Sequence, residues 1–195
     1  MPSPPPILPL DDATLSQIRH SALITPNTDP ALPTILYNLE HQLCSRLYHL
    51  SDPEDLDEVL QVSRRQLEIT PASDPDTCRI LSNLTNKLGD RFDRLGNLDD
   101  LDEGTQYMRR ALAIAPAASE MRPGMYNDLG NHLHRRFERS TEVADLIEAL
   151  EAQKQAIQTV QNIGDDMPRM QQDLWRKVDT VVKCLEVPRM GDSVI

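Results

Sequence analysis

Asparagine returns in this chain at a fixed step. Asn38 and Asn83 lie 45 residues apart, as do Asn86 and Asn131, and the step continues to His41 on one side and Arg176 on the other. A carboxamide carries two N–H donors and an acceptor oxygen, so it can pair with a peptide amide whatever the side chain beside it. Asn is also a weak helix former, so its return in register needs a reason beyond coating a surface. Other reactive residue types are less well arranged. His132 and His134 are two apart, which on a helix points them away from each other and misses the i, i+4 pair of a zinc helix. Cys44, Cys78 and Cys184 are odd in number, widely spaced and without a C-x-x-C pair, as expected of apolar packers in a reducing compartment. The acids Glu54, Asp55, Asp57, Glu58, Asp99, Asp100, Asp102 and Glu103 fall where helices are expected to start, and there they complement the helix dipole rather than collect a metal. Arg64-Arg65 and Arg109-Arg110 read as solvated surface that pairs with acids on adjacent turns. No G-x-x-x-x-G-K-[ST] loop occurs, and no motif unites nucleophile, base and oxyanion donor. The expectation is a non-enzymatic chain with no cofactor and no metal.

The elements that must position these residues are helices. With 4% aromatic residues and a sequence dominated by Leu, Ala, Gln, Arg, Asp and Glu, an all-β fold is nearly excluded. A length of 195 residues makes one domain or one short repeat array. A net charge of -11 gives counterion release little to draw on, so nucleic acid is not expected as a partner. No apolar run is long enough to suggest a membrane span, and the opening MPSPPPILPL has no basic region and is broken by prolines. A cytoplasmic address is expected.

The chain repeats. NLTNKLGDRF from Asn83 returns as DLGNHLHRRF from Asp128, a step of 45. Leu39, Leu43 and Arg46 map on Leu84, Leu88 and Arg91, and those on Leu129, Leu133 and Arg136. Leu56, Leu101 and Leu146 keep the step, as do Leu67, Leu112 and Ile157, while Pro26, Pro71 and Pro116 punctuate it. Within the second unit, Leu81, Leu84, Leu88, Phe92 and Leu95 recur at three- and four-residue spacing and predict a helix from about Asp76 to Leu95, ended by Gly96-Asn97. A second helix starts near Asp99, turns Leu101, Met108, Ala111, Leu112 and Ala115 inward, and stops before Pro116.

These residues resemble the tetratricopeptide repeat, whose pattern sets W-x2-L-G-x2-Y on a first helix and Ala, Phe, Ala and Pro on a second. The slots are filled here by Leu36, Leu39, Glu40, Leu43, Val59, Ser63, Gln66 and Pro71 in the first unit. In the second they are Leu81, Leu84, Thr85, Leu88, Gly104, Met108, Ala111 and Pro116. The third has Tyr126, Leu129, Gly130, Leu133, Ala149, Gln153 and Ala156, without the proline. The step exceeds the family's 34 by 11 residues, of which about seven fall between the two helices and lengthen the hairpin by about one turn on each side. Such long units look like those of fungal arrays, which often accompany a nucleotide-binding signalling ATPase or a caspase-like protease domain.

The resemblance implies an all-α, right-handed solenoid of antiparallel helix pairs with about eight helices. The expected plan is a Pro-rich flexible arm at 1–10, a helical array at 11–187 and a flexible tail at 188–195. The array comprises a half unit at 11–26, units at about 33–71, 77–116 and 122–161, and a last single helix at 167–187. Its unpaired end helices are expected to be covered by Trp175 capping the stack, by end-to-end self-association or by the proline-rich arm folding back over the first helix. First helices of this family line a concave groove that binds extended peptides. Carried over by position, the groove residues are Asn38, His41, Ser82, Asn83, Asn86, Asn127, Asn131, Arg135, Gln172 and Arg176. A protein or peptide partner follows from this reading. The alternative is a self-associating or docking module of a larger signalling assembly, joined through its end helices as a homo-oligomer; an accessory role in a small-molecule pathway has the least support.

Overall fold

The computed structural model describes residues 12–50 and 53–160. The expected arm at 1–10, the helix at 167–187 with Gln172, Trp175 and Arg176, and the tail at 188–195 lie outside the described residues. Seven α-helices and no strand occur among the described residues: α1 (Asp12–Ile24), α2 (Leu32–Leu50), α3 (Pro53–Ile69), α4 (Asp76–Leu95), α5 (Leu98–Ile114), α6 (Arg122–Ser140) and α7 (Val143–Val160). None of the described helices is long and apolar enough to cross a membrane.

Local chemistry repeats with the sequence. α1, α3 and α5 end at Ile24, Ile69 and Ile114, each two residues before Pro26, Pro71 or Pro116. A proline excludes the helical conformation from the residue before it, and Ala115 is accordingly extended at φ -64, ψ 131. Each proline then opens the same turn, its carbonyl accepting from the amide of Asp29 (3.0 Å), Asp74 (2.9 Å) or Ser119 (3.0 Å). The side chains of those three residues accept in turn from the amides of Ala31 (2.8 Å), Asp76 (2.9 Å) and Met121 (3.3 Å), which helps start α2, α4 and α6. At the far ends, Gly96 closes α4 at φ 71 and Thr141 closes α6 at φ 59. Their amides reach Phe92 and Phe137 at 2.7 and 2.8 Å. Only glycine adopts that left-handed geometry without a Cβ penalty.

The chain divides into two compact units, one holding α1–α4 and the other α5–α7. In the first, each helix packs on the next, around Leu15, Leu32, Leu36, Leu39, Leu43 and Val59. In the second, α6 packs on both α5 and α7, with Leu101, Met108, Leu133, Phe137, Ala149 and Ala156 buried. The predicted apolar face of α4 holds from Leu81 to Phe92, but Leu95 is 67% exposed. As the last residue of α4 it lies beyond the packed length of the helix.

Arginines tie the helices in the same register. Arg46 Nη1 reaches Asp12 at 3.2 Å, Arg91 Nη1 reaches Asp57 at 2.9 Å, and Arg136 Nη1 reaches Asp102 at 2.6 Å. Arg46 and Arg136 also reach forward, to Asp55 (3.1 Å) and Asp145 (2.5 Å). Asp55 and Asp145 are buried, so the acids at helix starts do more than complement a dipole. The Arg136 guanidinium is raised above its ordinary value by the Asp145 hydrogen bond, with that to Asp102 adding and burial opposing. A second series joins Arg19 to Glu58 (2.5 Å) and Arg109 to Glu148 (2.7 Å). The adjacent-turn pairing expected of the arginine pairs is corrected: Arg109 stays exposed but crosses to Glu148 on α7, and half-buried Arg65 donates to the carbonyls of Ala22 and Thr25, capping the orphan end of α1.

Candidate functional site

Three helices of the first unit leave a hollow of about 620 Å³ between them. α2 lines it with Tyr37, Glu40, His41 and Cys44, which fall on one helical face at three- and four-residue spacing. Gln66, Ile69 and Thr70 enter from the end of α3, and Asp76, Arg79, Ile80 and Asn83 from one face of α4. Such a volume is in the usual range for ligand sites.

The walls differ in character. Arg79 lies over the Tyr37 ring at 5.5 Å and donates to Asp76 at 3.4 Å, while the Tyr37 and His41 rings are 6.5 Å apart. This makes a rim of aromatic, basic and acidic groups whose charges are partly compensated. Deeper in, Glu40 is 5% exposed and its Oε1 accepts from Ser63 at 3.0 Å. Gln66, also 5% exposed, has an enclosed Nε2 with no hydrogen-bond partner in the protein. Cys44 is half-buried, and burial pushes its thiol up while Lys87 opposes the shift. A thiol so raised is little ionised at neutral pH and is a poor nucleophile.

Of the ten groove residues expected from sequence, His41 and Asn83 line this hollow. Asn38 and Asn86 are exposed and Ser82 is half-buried. In the second unit Asn131 and Arg135 are half-buried. Asn127 requires a correction. It is 2% exposed, and its Oδ1 accepts from Gln153 Nε2 at 2.8 Å between α6 and α7. Its amide therefore stabilises the helix pair instead of facing a ligand, because Gly130 and Ala149 bring the two helices close enough for long polar side chains to meet inside.

Tyr37, Glu40, Gln66 and Arg79 were not among the expected site residues. A signal for two of them exists in the expected tetratricopeptide register, where Glu40 would fill a glycine slot and Gln66 an alanine slot, each with a long polar side chain. The two histidines are buried in α6, with His134 Nδ1 3.8 Å from Glu138 Oε1. Among the described residues no group of three His, Cys, Asp or Glu side chains is placed to hold a metal ion. No protein-family model matches the chain. No curated protein is similar to it in sequence.

Proposed function

We propose that the chain is a tetratricopeptide-type scaffold, a solenoid of antiparallel helix pairs that binds an extended segment of a partner protein and catalyses nothing. Short connections between successive packed helices favour antiparallel neighbours. The repeated proline turns, left-handed caps and arginine ties support a modular array, since each repeat uses the same devices to stop one helix and start the next. At Gly130 an added Cβ would lie 3.1 Å from the Ala149 carbonyl oxygen, which is the close helix approach that the glycine of the pattern serves.

The observation that carries the binding reading is the hollow itself: two first-type helices, α2 and α4, present His41 and Asn83 into one cleft with Arg79 at its rim. Side-chain amides and bases so placed hold backbone carbonyls and amides of an extended chain without demanding one sequence. The absence of any motif joining nucleophile, base and oxyanion donor is in keeping with binding alone. The test is affinity capture from a cell extract with the full chain, beside a His41→Ala/Asn83→Ala variant of equal helicity by circular dichroism. A partner retained by the first and lost by the second supports the cleft, whereas equal retention by both removes it as the site.

A further inference from the structure

The deep end of the hollow carries two hydrogen-bonding groups of opposite kind on adjoining helices. On α2, Glu40 is 5% exposed and Ser63 engages its Oε1, which leaves Oε2 as an acceptor. On α3, one turn beyond Ser63, Gln66 is 5% exposed and its enclosed Nε2 is a donor without a partner in the protein. Both side chains line the same cleft. A buried donor without a partner is costly, and a site with such a group discriminates sharply between occupants that satisfy it and those that do not.

The geometry points to a subsite for a side-chain carboxamide, an Asn or Gln of the bound segment, seated between Glu40 and Gln66. Its NH2 donates to the Glu40 carboxylate while its oxygen accepts from Gln66 Nε2. The rival occupants each fail on one side. A lysine or arginine satisfies Glu40 but brings only donors towards the Gln66 N–H, and an aspartate or glutamate satisfies Gln66 but faces Glu40 with like charge. An apolar side chain leaves both groups unpaired. Unlike these rivals, the carboxamide meets both in one planar group. This subsite rests on the segment-binding reading and adds a specificity that the exposed His41 does not supply.

The experiment is selection of a random peptide library on the full chain, followed by titration of a selected peptide and of its Asn/Gln→Ala, →Glu and →Lys analogues. The proposal expects one position enriched in Asn or Gln, with affinity falling about tenfold or more in each analogue. On Gln66→Leu the loss between the carboxamide peptide and its Ala analogue should shrink to about twofold or less, and on Gln66→Glu the Lys analogue should become the preferred one. Circular dichroism checks that both variants keep wild-type helicity. Peptides bound through His41 and Asn83 without carboxamide enrichment, or unaffected by either Gln66 variant, would overturn the subsite and leave the segment-binding reading standing. Failure to select any peptide overturns both.

Discussion

Helix pairs α2–α3 and α6–α7 occupy the same positions of the repeat, two steps apart, and solve the same packing problem in opposite ways. Where the first has Glu40, Ser63 and Gln66, the second has Gly130, Gln153 and Ala156. In α6–α7 the glycine lets backbone approach backbone, and the polar pair Asn127 and Gln153 closes on itself inside the interface. In α2–α3 the carboxylate is held by a serine hydroxyl, the amide of Gln66 is left with an unpartnered donor, and a hollow borders both. The difference teaches that one helical frame yields a sealed interface or a lined cleft according to which residues fill positions two 45-residue steps apart. Polar satisfaction distinguishes them: Asn127 and Gln153 pair with each other, whereas the Gln66 donor is left without a partner in the protein.

The largest expected effect breaks this contrast at its closest contact. Gly130→Leu should destabilise the chain by about 3 kcal/mol in urea unfolding, because the side chain must enter space bounded by the Ala149 carbonyl oxygen at 3.1 Å. Glu40→Gln, at the same repeat position, keeps an acceptor for Ser63 and should cost less than about 1 kcal/mol. An equal cost at both sites would show that the two interfaces are packed alike.

Next come the arginine ties. Arg136→Ala strips the main partner from the buried Asp145 and should cost about 2 kcal/mol. Arg46→Ala should cost about half of that, near 1 kcal/mol, since Arg19 Nη2 remains 3.6 Å from Asp55. A double-mutant cycle with Asp145→Asn isolates the coupling in the second unit.

The helix ends sharpen the comparison further. Gly96 and Thr141 are equivalent caps one step apart, both left-handed, at φ 71 and 59. Thr141→Gly should stabilise by about 1 kcal/mol and Gly96→Ala should destabilise by a similar amount, read from thermal unfolding. If Thr141→Gly gives nothing, its hydroxyl, which donates to the Ser140 carbonyl at 2.7 Å, offsets the strain.

The smallest effect in energy reports directly on the hollow. Burial raises the Cys44 thiol above its ordinary 9.0, so in a Cys78→Ser/Cys184→Ser background its alkylation by iodoacetamide should be slow at pH 8 and accelerate only above about pH 9. The sign follows from burial disfavouring the thiolate: the folded chain holds this proton more tightly than the unfolded one, so the associated stability is present at neutral pH and declines as pH rises past 9.0. A segment seated in the cleft should slow the reaction further. A pH profile matching that of a free thiol would contradict the burial.

Much of the architecture was legible in residue spacing. The proline series marked three helix ends, the apolar spacing from Leu81 to Phe92 placed α4, and Gly96-Asn97 marked its stop. Thr141 could not be read that way, because a β-branched residue is a poor left-handed cap and only the repeat register points to it. The candidate site was less legible. Register points to Asn83 and His41, which line the hollow, whereas Asn127, expected on the same face by helical spacing, is buried, and Gln66 is not among the expected site residues. Register gives the face on which a residue sits; it does not give the distance to the next helix, which depends on the side chains of both.

The sequence by itself determined the helical class, the 45-residue step and the places where helices begin and end, because these depend on local backbone preference and on contacts within a few turns. Tertiary structure decided which polar groups are satisfied. Arg46 meets Asp12 across 34 residues, Asn127 meets Gln153 inside a sealed pair, and Glu40 and Gln66 line one cleft. Those outcomes depend on how closely neighbouring helices approach, a non-local quantity set by packing volume rather than by any one residue's preference.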